Sequence, residues 1–199
     1  MGRREDKKLE KRSRLDEAGV QELLSAGYAG ATVERIVAAA DVARGTFYLY
    51  YSDKHALFAV LLERLYGPLV AALATARDAL AADTAPPVVY AELGEALATL
   101  IGGQPALTQV ALREARAAGP GGEAVRAWTA QVEGLTEEIL AASVERGLLR
   151  PHAVRPVALA IVGGVERLTW GWLAQEGGLD PAVVTMELIG LFTYGLARG

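Results

Sequence analysis

The sequence predicts an all-α protein, and three observations support that prediction. Apolar residues recur at intervals of three and four, as on one face of a helix, through nearly the whole chain. No stretch sustains the strict alternation of apolar and polar residues that marks a half-buried strand. Much of the 52% hydrophobic share is alanine, a strong helix former. Packed helices account for this composition, and the pattern predicts nine of them.

Cap and turn residues divide the first part of the chain. The first helix is predicted over about residues 7–26, because the next residue, Gly27, can take the left-handed conformation that closes a helix. Thr32 is a suitable N-cap for a short second helix over 33–40. A turn then leads to a third short helix, over about 43–49.

The remaining helices are mostly longer. Ser52 or Asp53 is expected to cap a fourth helix, which continues toward Leu80 and ends before the two prolines of ADTAPP. Five further helices are predicted at about 87–101, 104–118, 122–147, 154–176 and 181–197. The segments between them, GGQP, GPGG, GLLRPH and EGGLDP, have turn compositions.

Residues 33–49 have the arrangement of a helix-turn-helix, whose second helix can lie in the major groove of DNA. An apolar inner face packs the two helices together, with Val33, Ile36, Val37 and Ala40 from the first and Val42 and Phe47 from the turn and the second. We expect Phe47 and Tyr51 to be mainly core residues. The outer face of the second helix remains available to DNA.

The exposed residue types of this element suit contact with DNA. Arg44 can read guanine or hold a phosphate, and Thr46 can touch a thymine methyl group or a phosphate. Gly45 lets the backbone approach the sugar-phosphate chain. The hydroxyl groups of Tyr48, Tyr50 and Tyr51 can bond phosphate. Lys54 begins the fourth helix, where free N–H groups also favour an anion. Taken singly, each residue has a plainer interpretation as a surface cation or a packed ring.

The charge of the chain is distributed unevenly. Residues 1–14 carry seven Lys or Arg side chains against three acids, although the whole chain has a formal net charge of −4. A basic end on an acidic body indicates that only one end meets a polyanion. A solvated terminal helix is the alternative interpretation.

An ordered set of residues runs through the segment 14–58, RLDEAGVQELLSAGYAGATVERIVAAADVARGTFYLYYSDKHALF. It comprises Leu15, Ala18, Gly27, Tyr28, Thr32, Val33, Ile36, Ala40, Val42, Gly45, Thr46, Phe47, Tyr48, Tyr50, Tyr51, Lys54 and Leu57. With this set the segment resembles the DNA-binding domain of the tetracycline-repressor (TetR) family of bacterial transcriptional regulators.

Three positions depart from the residues usual in that family. Asp41 stands in place of glycine, Ala43 in place of the Ser or Thr that caps the recognition helix, and His55 in place of Glu. Aspartate tolerates a positive φ better than most residues, so we expect the turn to survive. The loss of the cap at Ala43 removes about 1 kcal/mol of helix stabilisation.

The resemblance implies seven DNA contacts: Thr32, Arg44, Gly45, Thr46, Tyr48, Tyr50 and Lys54. Arg44 and Thr46 would lie nearest to bases. It also implies a homodimer that reads a palindromic double-stranded operator with two recognition helices about 34 Å apart. A basic arm would add phosphate or minor-groove contacts; it consists of Arg3, Arg4, Lys7, Lys8, Lys11, Arg12 and Arg14.

The expected organisation is a helix-turn-helix DNA-binding domain at 1–58 and an effector-binding and dimerisation domain at 59–199, joined by the long fourth helix. Two helical stripes near the end of the chain are candidates for the dimer surface: Ile161, Val165, Leu168 and Trp172, and then Val184, Leu188, Leu191 and Gly195. Two such helices from each subunit can form a four-helix bundle. Packing within one subunit is the alternative.

In proteins similar to this one, the helices after residue 87 form the effector-binding body. Four aromatic residues can line its cavity or equally belong to its core: Tyr66, Tyr90, Trp128 and Trp170. The charged group Arg113, Glu114 and Arg116 favours a solvated face over the mouth of a cavity. An apolar body indicates a hydrophobic or aromatic ligand, which would lower operator affinity by shifting a conformational population.

Other classes of protein find little support in the sequence. Cysteine is absent, the only histidines are His55 and His152, and no metal-ligand spacing, nucleophile elbow or phosphate loop is present, so neither catalysis nor a cofactor is predicted. Interrupted apolar segments and the lack of a signal peptide predict a soluble cytoplasmic protein without a membrane partner. The alternative function is a helical small-molecule-binding or scaffold protein that does not bind DNA. An activator, or a repressor without a small ligand, also stays open.

Overall fold

The computed structural model describes residues 3–82, 84–175, 180, 183, 187 and 190. Its helices are α1 (Arg3–Gly30), α2 (Val33–Ala39), α3 (Arg44–Tyr48), α4 (Lys54–Ala81), α5 (Pro86–Gly103), α6 (Pro105–Glu114), α7 (Pro120–Glu145) and α8 (Val154–Leu173). These residues include no β-strand. The predicted all-α class is confirmed.

The eight helices correspond to the first eight that the sequence predicts. The ninth, expected over 181–197, lies almost entirely outside the described residues and stays a prediction. Helix α6 ends at Glu114 rather than at residue 118, because the chain turns there: Ala117 N donates to Glu114 O at 2.8 Å, and Gly119 has a φ of 87°. Helix α4 continues through Pro68, as expected for a helix that runs toward Leu80, although proline removes one backbone hydrogen-bond donor.

Helix α1 contains a kink at Gly27, whose φ of 71° and ψ of 170° are not helical. Glycine adopts a positive φ without the steric penalty that a Cβ brings. Helical bonding resumes beyond it, because Ala31 N donates to Gly27 O at 3.0 Å. The predicted end of the first helix at Gly27 is therefore a kink inside a longer helix, with a last turn that reaches Gly30.

The chain divides into two compact units. The first comprises Met1–Arg64 and Ala106–Arg126, and the second comprises Leu65–Pro105 and Ala127–Gly199. Most of α6 and the start of α7 thus belong to the same unit as the helix-turn-helix. The domain boundary expected after residue 58 stays a prediction.

The core of the first unit draws on α1 to α4 and α6. Its fully buried large side chains are Leu15, Ile36, Phe47, Leu57, Phe58, Leu61, Leu62, Leu107 and Val110. Burial of each such side chain contributes about 1.5–3 kcal/mol. Helices α1 and α4 meet at Gly19, where an added Cβ would lie 2.7 Å from Leu57 Cδ2. This packing gives α2 and α3 a rigid base.

The second unit contains two apolar clusters. The larger is formed by Leu73, Ala76, Leu80, Val89, Val132, Ile139 and Val162. The smaller is formed by Leu140, Leu149 and Ala158. Polar contacts also join α4 to α7, where Arg77 pairs with Glu138 at 2.9 Å and Arg146 donates to Leu80 O. The exposed ion pair adds little stability, so the apolar clusters hold this unit together.

Helix α4 is long and apolar enough, by length and composition alone, to cross a membrane. Its most apolar 18-residue window has a mean hydropathy of 1.7, and a third of that window is buried. The helix supplies Leu57 and Leu61 to the core of the first unit and Leu80 to that of the second, each at most 1% exposed. Burial of this kind is typical of a core helix in a globular protein.

Replacement of Gly27 by Ala is expected to lower the free energy of unfolding by about 1–2 kcal/mol, because an L residue is strained at positive φ. The added Cβ would also lie 3.2 Å from Glu114 Oε1. Denaturant unfolding measures the change. Gly134→Ala is the control, since Gly134 lies inside α7 with nothing within 4 Å of an added Cβ. It is expected to stabilise by about 0.5–1 kcal/mol. If both variants changed the free energy of unfolding in the same direction, the positive φ at Gly27 would not be what makes this glycine necessary.

Candidate nucleic-acid interface

The first helix of the helix-turn-helix begins as the sequence predicts, with Thr32 as its N-cap. Thr32 is extended, with φ −130° and ψ 149°, and its Oγ1 accepts a hydrogen bond from Arg35 N at 3.3 Å. The hydroxyl group keeps its own hydrogen as a donor, and Thr32 is exposed. Thr32 therefore suits a phosphate contact while it caps α2.

The turn between α2 and α3 depends on Asp41, which has a φ of 50°. This confirms the expectation that aspartate replaces glycine at a positive φ. The Asp41 residue also binds Arg14, whose Nη2 donates to Asp41 O and Oδ2, each at 3.1 Å. A side chain of α1 thus secures the turn that sets the angle between α2 and α3.

Helix α3 starts at Arg44, and its N-cap residue Ala43 makes no side-chain cap hydrogen bond, as the sequence predicts. Its inner face is fixed by Phe47, which is fully buried, and by Tyr51, which is 3% exposed; both are core residues, as expected. Tyr51 donates its hydroxyl hydrogen to Asp16 Oδ1. Burial and then the bond to Asp16 raise the pKa of Tyr51 to about 12, so its hydroxyl stays protonated. Arg64 lies 3.5 Å from the other oxygen of Asp16.

The outer face of α3 brings the predicted contact residues together. Arg44 and Gly45 are exposed, Thr46 is half-buried, and Tyr48 is 48% exposed. Nothing lies within 4 Å of a Cβ added at Gly45. Leu49 follows with 78% of its surface exposed. The result is an open surface that presents a cation, a bare backbone and an aromatic hydroxyl side by side.

Arg44 is held by two neighbours within the protein. Its Nη2 donates to the Tyr48 hydroxyl at 3.4 Å and lies 3.0 Å from Glu34 Oε1. The guanidinium carbon lies 5.9 Å from the centre of the Tyr48 ring. The bond to Tyr48 and then the charge of Glu34 raise the pKa of Arg44, which stays cationic. Sequence reasoning did not identify Glu34, because its contact crosses the turn and follows no helical spacing.

Tyr50 and Lys54 make contacts inside the protein that the sequence did not predict. The Tyr50 hydroxyl donates to Lys8 O at 3.0 Å. Lys54 Nζ donates to the carbonyls of Tyr28 at 2.7 Å, Ala31 at 2.9 Å and Ala29 at 3.3 Å. The three hydrogens of the ammonium group are therefore directed at the last turn of α1 and at Ala31, the residue that follows it. DNA contacts by Tyr50 and Lys54 stay predictions, and at Lys54 a phosphate would have to compete with these carbonyls.

The start of α4 nevertheless follows the sequence prediction, with Asp53 as the cap. Asp53 Oδ1 accepts a hydrogen bond from Ala56 N at 2.8 Å. This bond lowers the pKa of the Asp53 carboxyl group, because it favours the ionised form. The next residue but one, His55, is exposed, and its Nδ1 lies 3.1 Å from the Tyr28 hydroxyl.

Two charged residues of α6 bind the end of α1, and they do not form the solvated face that the sequence suggested. Glu114 is only 6% exposed, and its Oε1 accepts a hydrogen bond from Tyr28 N at 3.0 Å. Arg113 donates to Leu24 O at 2.8 Å and to Leu23 O. The kink leaves backbone groups of α1 without helical partners, and side chains of α6 supply those partners. Arg113 and Glu114 therefore face α1 instead of solvent. Arg116 donates to Leu112 O within its own segment.

The basic arm is helical from Arg3 onward and consists of two kinds of residue. Lys7, Lys8 and Lys11 are exposed. A hydrogen bond to the Tyr51 hydroxyl raises the pKa of Arg12. Arg14 forms an ion pair with Asp41. The side chains of Arg3 and Arg4 lie outside the described set. Contact of the arm with DNA stays a prediction, for which the three lysines are the best placed.

Two of the four predicted effector residues contact each other in the second unit. The rings of Tyr66 and Trp128 stack with centres 6.0 Å apart and planes 11° from parallel. Burial and then the negative charge of Glu166 raise the pKa of Tyr66 to about 12. Trp170 is half-buried on α8, and Tyr90 lies on α5 with a side chain outside the described set. The effector site itself stays a prediction.

The predicted dimer stripe on α8 is half-buried in the single subunit: Ile161, Val165, Leu168 and Trp172. Ile161 packs against the smaller apolar cluster of its own unit. The second stripe, with Val184, Leu188, Leu191 and Gly195, lies outside the described residues. The dimer surface therefore stays a prediction. Ile161 is already partly buried within its own subunit, so only the rest of its side chain is available to a partner.

Two short helices around a tight turn, with a rigid inner face and an open outer face, define a helix-turn-helix protein of the kind that binds DNA. Comparison with known proteins identifies its family. Residues 17–61 match the bacterial regulatory proteins of the tetR family, and residues 91–196 match the tetracyclin repressor-like C-terminal domain. The chain belongs to the tetR family of bacterial regulatory proteins.

Individual relatives agree with this assignment. Over 58 residues the chain is 38% identical to the HTH-type transcriptional repressor DhaR of Mycobacterium sp. (strain GP1), and the matched segment spans 29% of each chain. The fold is similar to that of FadR from Bacillus subtilis in complex with stearoyl-CoA, with a TM-score of 0.74, 19% identity and coverage of 93% of this chain and 99% of that one. For the SmeT–triclosan complex of Stenotrophomonas maltophilia the TM-score is 0.78 at 18% identity, with 94% and 92% covered.

Gly45→Ala is expected to separate DNA binding from stability. Because no atom lies within 4 Å of the added Cβ, the variant should fold normally and gain helix propensity. If the backbone at Gly45 lies against the sugar-phosphate chain, the methyl group should weaken DNA binding by about tenfold or more. Thermal unfolding and titration of a labelled duplex measure the two effects. Unchanged affinity would remove Gly45 from the interface.

Proposed function

We propose that this protein is a ligand-responsive transcriptional regulator, a repressor, which binds a palindromic DNA operator as a homodimer and is released by a small hydrophobic or aromatic effector. The observation that supports it best is the outer face of α3, where Arg44, Gly45 and Tyr48 lie together and exposed on a base fixed by Phe47 and Tyr51. A cytoplasmic location suits this function, since the DNA is there.

The contacts divide between bases and backbone. Arg44 and Thr46 lie on the exposed helix that would enter the major groove, and they are assigned to bases. Tyr48, Tyr50, Thr32 and Lys54 are assigned to the sugar-phosphate backbone, with Gly45 allowing its close approach. A single recognition helix of five residues reads few bases. Two copies related by a twofold axis, about 34 Å apart, would double the sequence that is read and require a palindrome.

The effector proposal rests on the second unit. The Tyr66 and Trp128 rings are stacked, and Tyr66 packs against the larger apolar cluster, so the pair suits a ligand with a flat or hydrophobic surface. The FadR and SmeT structures named above were solved with stearoyl-CoA, which carries a long apolar acyl chain on a charged coenzyme A group, and with triclosan, which is largely apolar. An effector of this class would act by binding one conformation more tightly than another, and its effect on operator affinity would equal that difference.

A route from effector to DNA is offered by α4, which runs along the chain from the first unit into the second. Within the first unit, Arg113 and Glu114 of α6 hold the end of α1 by the hydrogen bonds described above. Lys54 binds the same end of α1 from the start of α4. A shift of α6 or α4 would therefore change the position of α1, and with it the base on which α2 and α3 rest.

Selection of bound duplexes from a random DNA library tests the DNA-binding function. The unmodified protein is expected to enrich a palindromic sequence at near-physiological salt, and Arg44→Ala/Tyr48→Ala is expected to lose it. Arg44→Ala alone should weaken binding by about tenfold or more and relax the preference at one base pair of each half-site. No enrichment by the unmodified protein, even at low salt, would favour the alternative of a helical binding or scaffold protein without DNA binding.

Release by an apolar effector is tested on the selected duplex with stearoyl-CoA and triclosan as probes. At least one probe is expected to lower the affinity for the duplex, and Trp128→Leu should reduce that response by about tenfold because the stacked pair is lost. Leu159→Ala, at a residue 40% exposed on α8, is the control and should respond normally. Failure of both probes would contradict this effector class, and a full response from Trp128→Leu would exclude Trp128 from the site.

A further inference from the structure

The ion pair between Glu34 and Arg44 lies on the surface that is proposed to meet DNA. Glu34 is in the first turn of α2 and Arg44 is the first residue of α3, so the pair spans the turn of the helix-turn-helix. Glu34 Oε1 lies 3.0 Å from Arg44 Nη2, and the two side chains are 59% and 62% exposed. A carboxylate on a DNA-facing surface is unfavourable beside phosphates, so its presence there points to a role that offsets this cost.

Glu34 lies beside Arg44 Nη2, the nitrogen that takes part in every bidentate contact of an arginine with guanine. A guanidinium group can offer two parallel N–H donors in two ways, from Nη1 with Nη2 or from Nε with Nη2. Both arrangements include Nη2. Within the protein Nη2 donates a hydrogen bond to the Tyr48 hydroxyl and lies 3.0 Å from Glu34 Oε1. To bind DNA in a bidentate way, Arg44 must therefore move Nη2 away from at least one of these two neighbours.

The exchange of partners has different consequences on a phosphate and on a base. When Arg44 moves to a phosphate, the Glu34 carboxylate is left close to a second anion, and the two like charges repel. The edge of a guanine is uncharged, so the same carboxylate meets no such repulsion there. Glu34 thus weakens the binding of Arg44 to a phosphate, which every DNA sequence offers, more than the binding of Arg44 to a guanine, which only some sequences offer.

We propose that Glu34 is a specificity-determining residue, which restrains Arg44 from non-specific phosphate contacts and so increases the preference of the protein for its operator. This inference rests on the proposed DNA-binding function and adds a residue to the proposed site. Glu34 acts through Arg44, and it is a positioning residue that need not touch DNA itself.

Glu34→Gln tests this role because it removes the charge with little change of shape. The probes are the duplex selected by the unmodified protein and a scrambled duplex of the same composition, titrated at several salt concentrations. Glu34→Gln is expected to bind the scrambled duplex about tenfold more tightly, with less than about a threefold change on the selected duplex. The salt dependence on the scrambled duplex should steepen by about one released counterion per subunit, because Arg44 becomes free to bind phosphate.

Two variants serve as controls for the charge and for the dependence on Arg44. Glu63→Gln removes an exposed charge from α4 in the same unit and should leave the preference for the selected duplex unchanged. In an Arg44→Ala background, Glu34→Gln should have no greater effect than Glu63→Gln.

Three outcomes would overturn the proposal. Equal tightening on both duplexes would make Glu34 a general repulsive charge, and weaker binding to both with a lower unfolding temperature would make it a structural residue. An effect that persists without Arg44 would show that Glu34 meets DNA directly. If the unmodified protein selects no duplex at all, the proposed function fails first, which is distinguishable from each of these results.

Discussion

The structure of the first unit depends on how the end of α1 is bonded. The kink at Gly27 interrupts the helix and leaves backbone groups without helical partners. Cations from two other helices, Lys54 of α4 and Arg113 of α6, bind carbonyls there, and Glu114 accepts a hydrogen bond from Tyr28 N. The negative end of the helix dipole favours both cations. One helix end therefore joins α1, α4 and α6, and it fixes the frame within which α2 and α3 are held.

Much of this fold could be predicted from local sequence, because helices are determined by spacing and by caps. The apolar period located eight helices, and the cap residues Thr32 and Asp53 marked two starts that the structure confirms. The kink at Gly27 was predicted as an end, since a glycine that breaks a helix and one that terminates it look the same in sequence. What distinguishes them is the partner that the freed groups find, and here that partner lies in α6, far along the chain.

The candidate site shows the same division between local and distant information. Helical spacing separated buried Phe47 and Tyr51 from exposed Tyr48 correctly, because inward and outward positions alternate with a known period. The contacts of Lys54 with α1 and of Glu34 with Arg44 could not be predicted, since each joins elements whose relative placement the sequence does not state. For the effector and dimer residues, the helical spacing of apolar residues identifies an apolar face. It does not show whether that face meets a ligand, a second subunit or the core of its own subunit.

The exposed side chains at the end of α3 have a thermodynamic consequence. Leu49 is 78% exposed and Tyr48 48% exposed, on a surface otherwise suited to a polyanion. If DNA covers them, water leaves apolar surface at the same time as counterions leave the phosphates. Removal of apolar surface from water gives association a negative heat-capacity change, which electrostatic attraction alone does not produce. The enthalpy of complex formation would then become more favourable on warming, even though salt governs the affinity.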